Sequence, residues 1–250
     1  MKNRLKIFFF LSFISNISLS NTHASSTLNW RNELTENEIK DLEKGEIIQK
    51  LVAQKDSSWP LITQFVKVKA SPLEAAAIFS ALDYQMEYVP NLLKSYPRQH
   101  LSPTEVLVEY ELHVPFPLSN AHYIHGNKLK KIDEDYELSW YMTKSTSTEF
   151  VQGSAYFTSF NSAFKNQETL FKYTSFIKPK SLFASMVKSL MLKDIKKTVG
   201  SIKDHIEKLK KENSPKILEY SNKINRALQG ENVYAESIEK NKNKKPYFQQ

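Results

Sequence analysis

The chain has no cysteine and only five glycines in 250 residues. The first absence excludes disulfides and thiolate metal sites alike. The second leaves little material for the glycine-rich loops that cradle nucleotide phosphates, and neither a G-x-S-x-G elbow nor an H-E-x-x-H motif occurs. After the first two dozen residues, no stretch is apolar enough to span a bilayer. Classes of function that need those devices are therefore poorly supported.

The first residues carry an export pattern. Lys2, Arg4 and Lys6 precede an apolar run from Ile7 to Leu19, and Thr22-His23-Ala24 ends in a small residue before Ser25. This is the anatomy of a secretory signal peptide over residues 1–24, and it predicts a periplasmic or secreted protein. An uncleaved membrane anchor is the competing reading, although the apolar run is short for a span. A lipoprotein anchor would need a cysteine. Removing 24 of 250 residues leaves a mature chain of 226, long enough for a sizeable core.

The formal charge is +8, and the leader holds three of those charges, which leaves +5. The excess is concentrated: ten lysines lie between Lys178 and Lys211, opposed only by Asp194, Asp204 and Glu207. Such a surface suits anionic lipid headgroups, or is simply a solvated helix face. Export argues against a nucleic-acid partner.

Thr35 and Glu38 form a capping box that starts a helix at about Glu36, stopped near Gly45. GEIIQKLVAQ reads as a strand, and Trp59 to Ala70 as a stronger one. Ser71-Pro72 opens a second helix whose inner face is Ile78, Phe79 and Leu82. LLKSYPRQHL follows as another short strand. From Glu105 the period is two: Val106, Val108, Tyr110, Leu112 and Val114 fall inward, with Glu109, Glu111 and His113 toward solvent. YELSWYMTK repeats the alternation, and FVQGSAYFTSF and ETLFKYTSFIK are two further strands, with Gly153 expected at a bulge. After Pro179 the period becomes 3.6, giving a long helix with Leu182, Met186, Leu190, Ile195, Val199, Ile202, Ile206 and Leu209 as its apolar stripe. The organisation is then a lead-in over 25–57, a main domain over 58–212 and a polar tail over 213–250. That tail is expected to be disordered, with room for one isolated helix at 215–229.

The segment HVPFPLSNAHYIHG holds three histidines. His122 and His125 are three apart on a strand, so they face opposite ways, which argues against joint metal binding. The same segment resembles the P-x-P-L-S-x-R-D motif of START domains, the lipid-transfer family within the helix-grip superfamily that also holds polyketide cyclases. VKVKASPLEAAAIFSALDYQMEYVP is similar to the first strand and helix of that family, and LTENEIKDLEKGEII to the lead-in of exported bacterial members. The likeness covers residues 34–211. Pro115, Pro117, Leu118 and Ser119 match the motif, but Ala121-His122 stands where the family has Arg-Asp.

The resemblance implies an α+β helix-grip fold, with a curved antiparallel sheet wrapped around a long C-terminal helix and a cavity between them. It implies a bound lipid or other hydrophobic small molecule, no cofactor and no metal, in a monomer that touches anionic membrane during exchange. Inward parity then nominates Val108, Tyr110, Leu112, Trp140, Met142, Phe157, Tyr173, Met186 and Leu190 as lining residues, each of which could instead fill a core. Two alternatives stand beside the carrier: an enzyme of the cyclase or hydrolase kind, with His122, His125 or Tyr110 moving protons, and an interaction module whose cavity has been lost.

Overall fold

The computed structural model describes residues 30–55, 57–114, 116, 119–161, 167–180 and 188–249. The proposed leader, Leu182 and Met186 of the helix stripe, and Pro115, Pro117 and Leu118 of the START-like motif lie outside the described residues.

Helix α1 (Glu36–Glu43) leads into β1 (Ile48–Gln54) and β2 (Ser57–Val68). Thr35 Oγ1 accepts from the Glu38 amide and Glu38 Oε2 from the Thr35 amide, so two orphan donors are satisfied reciprocally. Helix α2 (Pro72–Phe79) starts the same way: Ser71 and Glu74 form a capping box, and Pro72 occupies a first-turn position where no amide is needed. Six strands follow: β3 (Leu92–Ser102), β4 (Glu105–Leu112), β5 (Ala121–Ile132), β6 (Asp135–Ser145), β7 (Thr148–Ser159) and β8 (Thr169–Pro179). Helices α3 (Lys188–Lys211), α4 (Pro215–Leu228) and α5 (Ala235–Asn241) complete the order. No described helix is long and apolar enough to cross a membrane.

The strands form one antiparallel sheet in the order β1-β2-β8-β7-β6-β5-β4-β3. Strands β3 to β8 are a meander in which each pairs with its sequence neighbour. The β1–β2 hairpin joins at the far side, where Val66 opposes Phe171. Helices α2 and α3 lie across the concave face. Val66, Val68, Phe157 and Phe171 from the sheet pack there with Ala76 and Ile78 of α2 and Val199, Ile202 and Ile206 of α3. Full burial of each large side chain contributes about 1.5–3 kcal/mol.

Three expectations are corrected. Residues 213–249 are not a disordered tail: α4 is the helix expected at 215–229, and α5 follows it. Helix α4 begins at an N-cap, Ser214, and buries Ile217, Tyr220, Ile224 and Ala227, spaced three, four and three apart as one helix face requires. Polar residues between those four hide the stripe in composition. Glu109 does not face solvent: it is 3% exposed, because the chain after α5 covers it. Arg98 Nε donates to Glu109 Oε2 at 2.8 Å, and the Tyr247 amide donates to Oε1 at 3.1 Å. Gly153 sits at no bulge: it pairs in register with Trp140 and Ser175.

Candidate functional site

A cavity of about 620 Å³ lies between the concave face of the sheet and α3. Strand parity builds one wall. On β5, Ala121, Tyr123, His125 and Asn127 alternate inward, and on β8 Tyr173, Ser175 and Ile177 do the same. Helix α3 builds the opposite wall with Met191, Ile195, Thr198, Val199 and Ile202, the 3.6-period face that also enters the core. Phe79 at the end of α2, Val89 and Pro90 close one side. Ser119, Thr146 and Lys180 are wall residues that are also solvent-exposed, and they mark the mouth.

Of the nine residues nominated from the sequence, four meet on this wall: Tyr110, Leu112, Trp140 and Tyr173. Val108 and Phe157 do not. Both are fully buried, among neighbours that fill the space around them, because inward parity serves core and cavity alike. Met142 also lies off the wall, beside the irregular pairing between Ile124 and His125, and its sulfur accepts from Thr148 Oγ1 at 3.2 Å. Leu190 is 43% exposed. At about 100° per residue it lies half a turn from Val199, nine residues on, so it belongs to the opposite side of α3. Met186 lies outside the described residues.

The nomination left out Trp59, Phe79, Tyr123, Met191 and Ile195, which all line the cavity. The alternation of β5 marks Tyr123, and the stripe through Ile195 marks Met191 four residues before it. Phe79 is marked by its place on the inner face of α2, whereas Trp59, near the start of β2, has no such signal.

The histidines separate as strand geometry dictates. His122 lies by Glu111, with Nδ1 3.8 Å from Oε2, and its ring stacks on Tyr247 at 3.7 Å. His125 faces the cavity between Tyr110 and Tyr123, with ring centres 5.6 and 4.4 Å away. Burial pushes the His125 pKa down to about 3, so the ring is neutral. Burial likewise raises Tyr110, Tyr123 and Tyr173 above the ordinary tyrosine range. Among the described residues, Lys180 is the one lysine, arginine or carboxylate residue on the wall, and its Nζ donates to the Ser145 carbonyl at 2.9 Å. The described residues of the interior are thus uncharged at neutral pH. Three polar atoms of wall residues are buried with no hydrogen-bond partner among the described residues: Trp59 Nε1, His125 Nε2 and Ser147 Oγ.

Strand Gly153 has a defined role here. A β-carbon at that position would overlap the indole of Trp140 and come within 2.6 Å of the Thr174 carbonyl. Its bare backbone lets the Trp140 ring lie across β7 and against Tyr173, with ring centres 5.3 Å apart.

No protein-family model matches the sequence, and no curated protein is similar to it. Solved structures are similar in fold. A STAR-related lipid transfer protein fragment from Xanthomonas axonopodis superposes with a TM-score of 0.55 at 10% identity, covering 64% of this chain and 93% of that one. Human STARD10 gives 0.51 at 14% identity, over 75% and 89% of the two chains. Human StAR-related lipid transfer protein 5 gives 0.54 at 8% identity, over 65% and 82%. The fold is the START-like helix-grip fold, an α+β architecture in which a curved antiparallel sheet holds a long helix.

Proposed function

We propose that the protein binds a hydrophobic molecule, a lipid in the first instance, and carries it through an aqueous compartment after export. The observation that supports this reading best is the apolar-walled cavity of about 620 Å³, within the range of roughly 300–1,000 Å³ found for small-molecule sites. Its mechanism is non-covalent. Each methylene taken from water contributes about 0.8 kcal/mol, so a long hydrocarbon is held without a charged anchor. The lipid-transfer names of the START-like structures point the same way.

Exchange needs contact with a membrane. Phe116, in the β4–β5 connection that also carries the wall residue Ser119, is 94% exposed. Lys193, Lys196 and Lys197 are exposed along α3. An exposed apolar residue and an exposed row of cations both suit the surface of an anionic bilayer.

The enzymatic alternative draws less support. Among the described residues His125 has no carboxylate against it, and His122 sits by Glu111 and stacks on the wall residue Tyr247 without lining the cavity itself. The interaction-module alternative expects a filled interior, which this cavity is not.

Native mass spectrometry of the protein purified from its host, with organic extraction and lipid analysis, tests the reading. A stoichiometric hydrophobic ligand is the expected result. An empty protein that also takes up no lipid from liposomes would overturn it.

A further inference from the structure

The cavity is apolar, but its wall is not featureless. Around His125 a small polar group is assembled. Asn127 Nδ2 donates to the His125 carbonyl at 3.3 Å, and the Tyr110 hydroxyl reaches Asn127 Oδ1 at 3.5 Å. The His125 residue is 8% exposed and lines the cavity, while its Nε2 has no partner among the described residues. Trp59 Nε1, a buried donor on the same wall, also has no partner among the described residues. Buried polar groups are almost always hydrogen-bonded, so each of these orphans asks for a group that the described residues do not supply.

The kind of group follows from the charge. A neutral imidazole offers one N–H and one lone pair, and a hydroxyl can meet either. A carbonyl can meet the N–H. Among the described residues no arginine, lysine or carboxylate shares the interior with His125, and Lys180 stands at the exposed mouth. A phosphate or carboxylate drawn inside would therefore lose its water with no cation to balance it. A bare hydrocarbon would leave the polar group unpaired.

Resting on the reading that the cavity binds a hydrophobic molecule, we infer that it selects uncharged amphiphiles. A ligand with a hydroxyl or carbonyl on a hydrocarbon body is oriented by a hydrogen bond to the His125 imidazole, and anionic lipids are disfavoured. The site is thus one for a neutral alcohol or ester lipid rather than for a phospholipid.

Two matched probe series test this. One is hexadecane, 1-hexadecanol and hexadecanoate, and the other is cholestane, cholesterol and cholesterol sulfate. Each labelled probe is supplied to the full chain from phosphatidylcholine vesicles at neutral pH. In the series whose shape fits, the alcohol is expected to be retained about five- to tenfold better than its alkane, the scale of one hydrogen bond. The anion is expected to be retained less than the alcohol. His125→Phe should bring the ratio of alcohol to alkane retained down to about one, and His125→Leu serves if the first variant does not fold. An alkane held as well as its alcohol, an anion held best, or a preference that survives both variants would overturn the inference and leave hydrophobic binding standing. Retention of none of the six probes would overturn the binding reading itself.

Discussion

Trp140 and Gly153 are cross-strand partners, and the indole of one lies over the bare backbone of the other. Gly126 and Tyr141 make the same arrangement between β5 and β6. Adding a methyl at Gly153 forces Trp140 off the cavity wall or pushes β7 away from β8. Gly153→Ala is expected to cost about 1–3 kcal/mol, as overpacking does. The urea midpoint should fall, and the near-ultraviolet circular dichroism of the tryptophans should change. An unchanged midpoint with an unchanged spectrum would refute the account of this glycine.

The pair of half-buried Arg98 with buried Glu109 ties the C-terminal residues to the sheet. Arg98 Nη1 also donates to the carbonyls of Asn241 and Lys244, at 2.6 and 3.0 Å. Arg98→Met leaves the Glu109 carboxylate buried without its cation, a defect of about 3–5 kcal/mol. Faster hydrogen exchange is expected over residues 241–249. The double variant Arg98→Met, Glu109→Gln removes the unbalanced charge and should recover part of the stability. If the double variant is no more stable than the single one, the ion pair is not what holds the segment.

His125 gives a pH dependence whose sign can be worked out. Its folded pKa is depressed to about 3, while the unfolded value is about 6.5. Between those values the unfolded chain binds a proton that the folded chain refuses. The contribution of the site is full above pH 6.5 and is lost progressively as pH falls toward 3. Wild type should therefore lose more stability than His125→Phe between pH 7 and pH 4. Parallel stability curves for the two proteins would show that His125 titrates normally in the fold.

Truncation tests the last helices. Ending the chain after Glu212 removes Ile217, Tyr220 and Ile224 from the core that they share with α2. At about 1.5–3 kcal/mol for each buried side chain, the loss rivals the whole stability of an ordinary domain. The shortened protein should be insoluble or lack a cooperative thermal transition. A cooperative transition near that of the full chain would mean that α4 is dispensable.

The order of elements could be read because its signals are local. The Thr35–Glu38 box, Ser71-Pro72 and the alternation of β4 each need only a few neighbouring residues. What could not be read depends on elements distant in sequence. Glu109 has the parity of a solvent-facing residue, and only the return of residues 241–247 buries it. Val108 and Tyr110 have the same parity on the same strand, yet one packs in the core and the other reaches the cavity. The difference is how closely other elements pack over each one, which no periodicity encodes. Leu190 is a simpler case: it is large and apolar, but it lies off the strict helical angle of the stripe and is exposed.

The placement of the β1–β2 hairpin also shapes how the molecule can form. Each meander strand finds its partner within a short stretch of chain, but β2 must wait for β8, as the pairing of Val66 with Phe171 requires. Closing so long a loop comes before the contacts that reward it, and topologies of this kind fold slowly. During synthesis the hairpin emerges early and stays without its neighbour strand until nearly the whole sheet has been made. The chain thus passes through a prolonged interval in which the apolar face that will enclose the cavity is open to water.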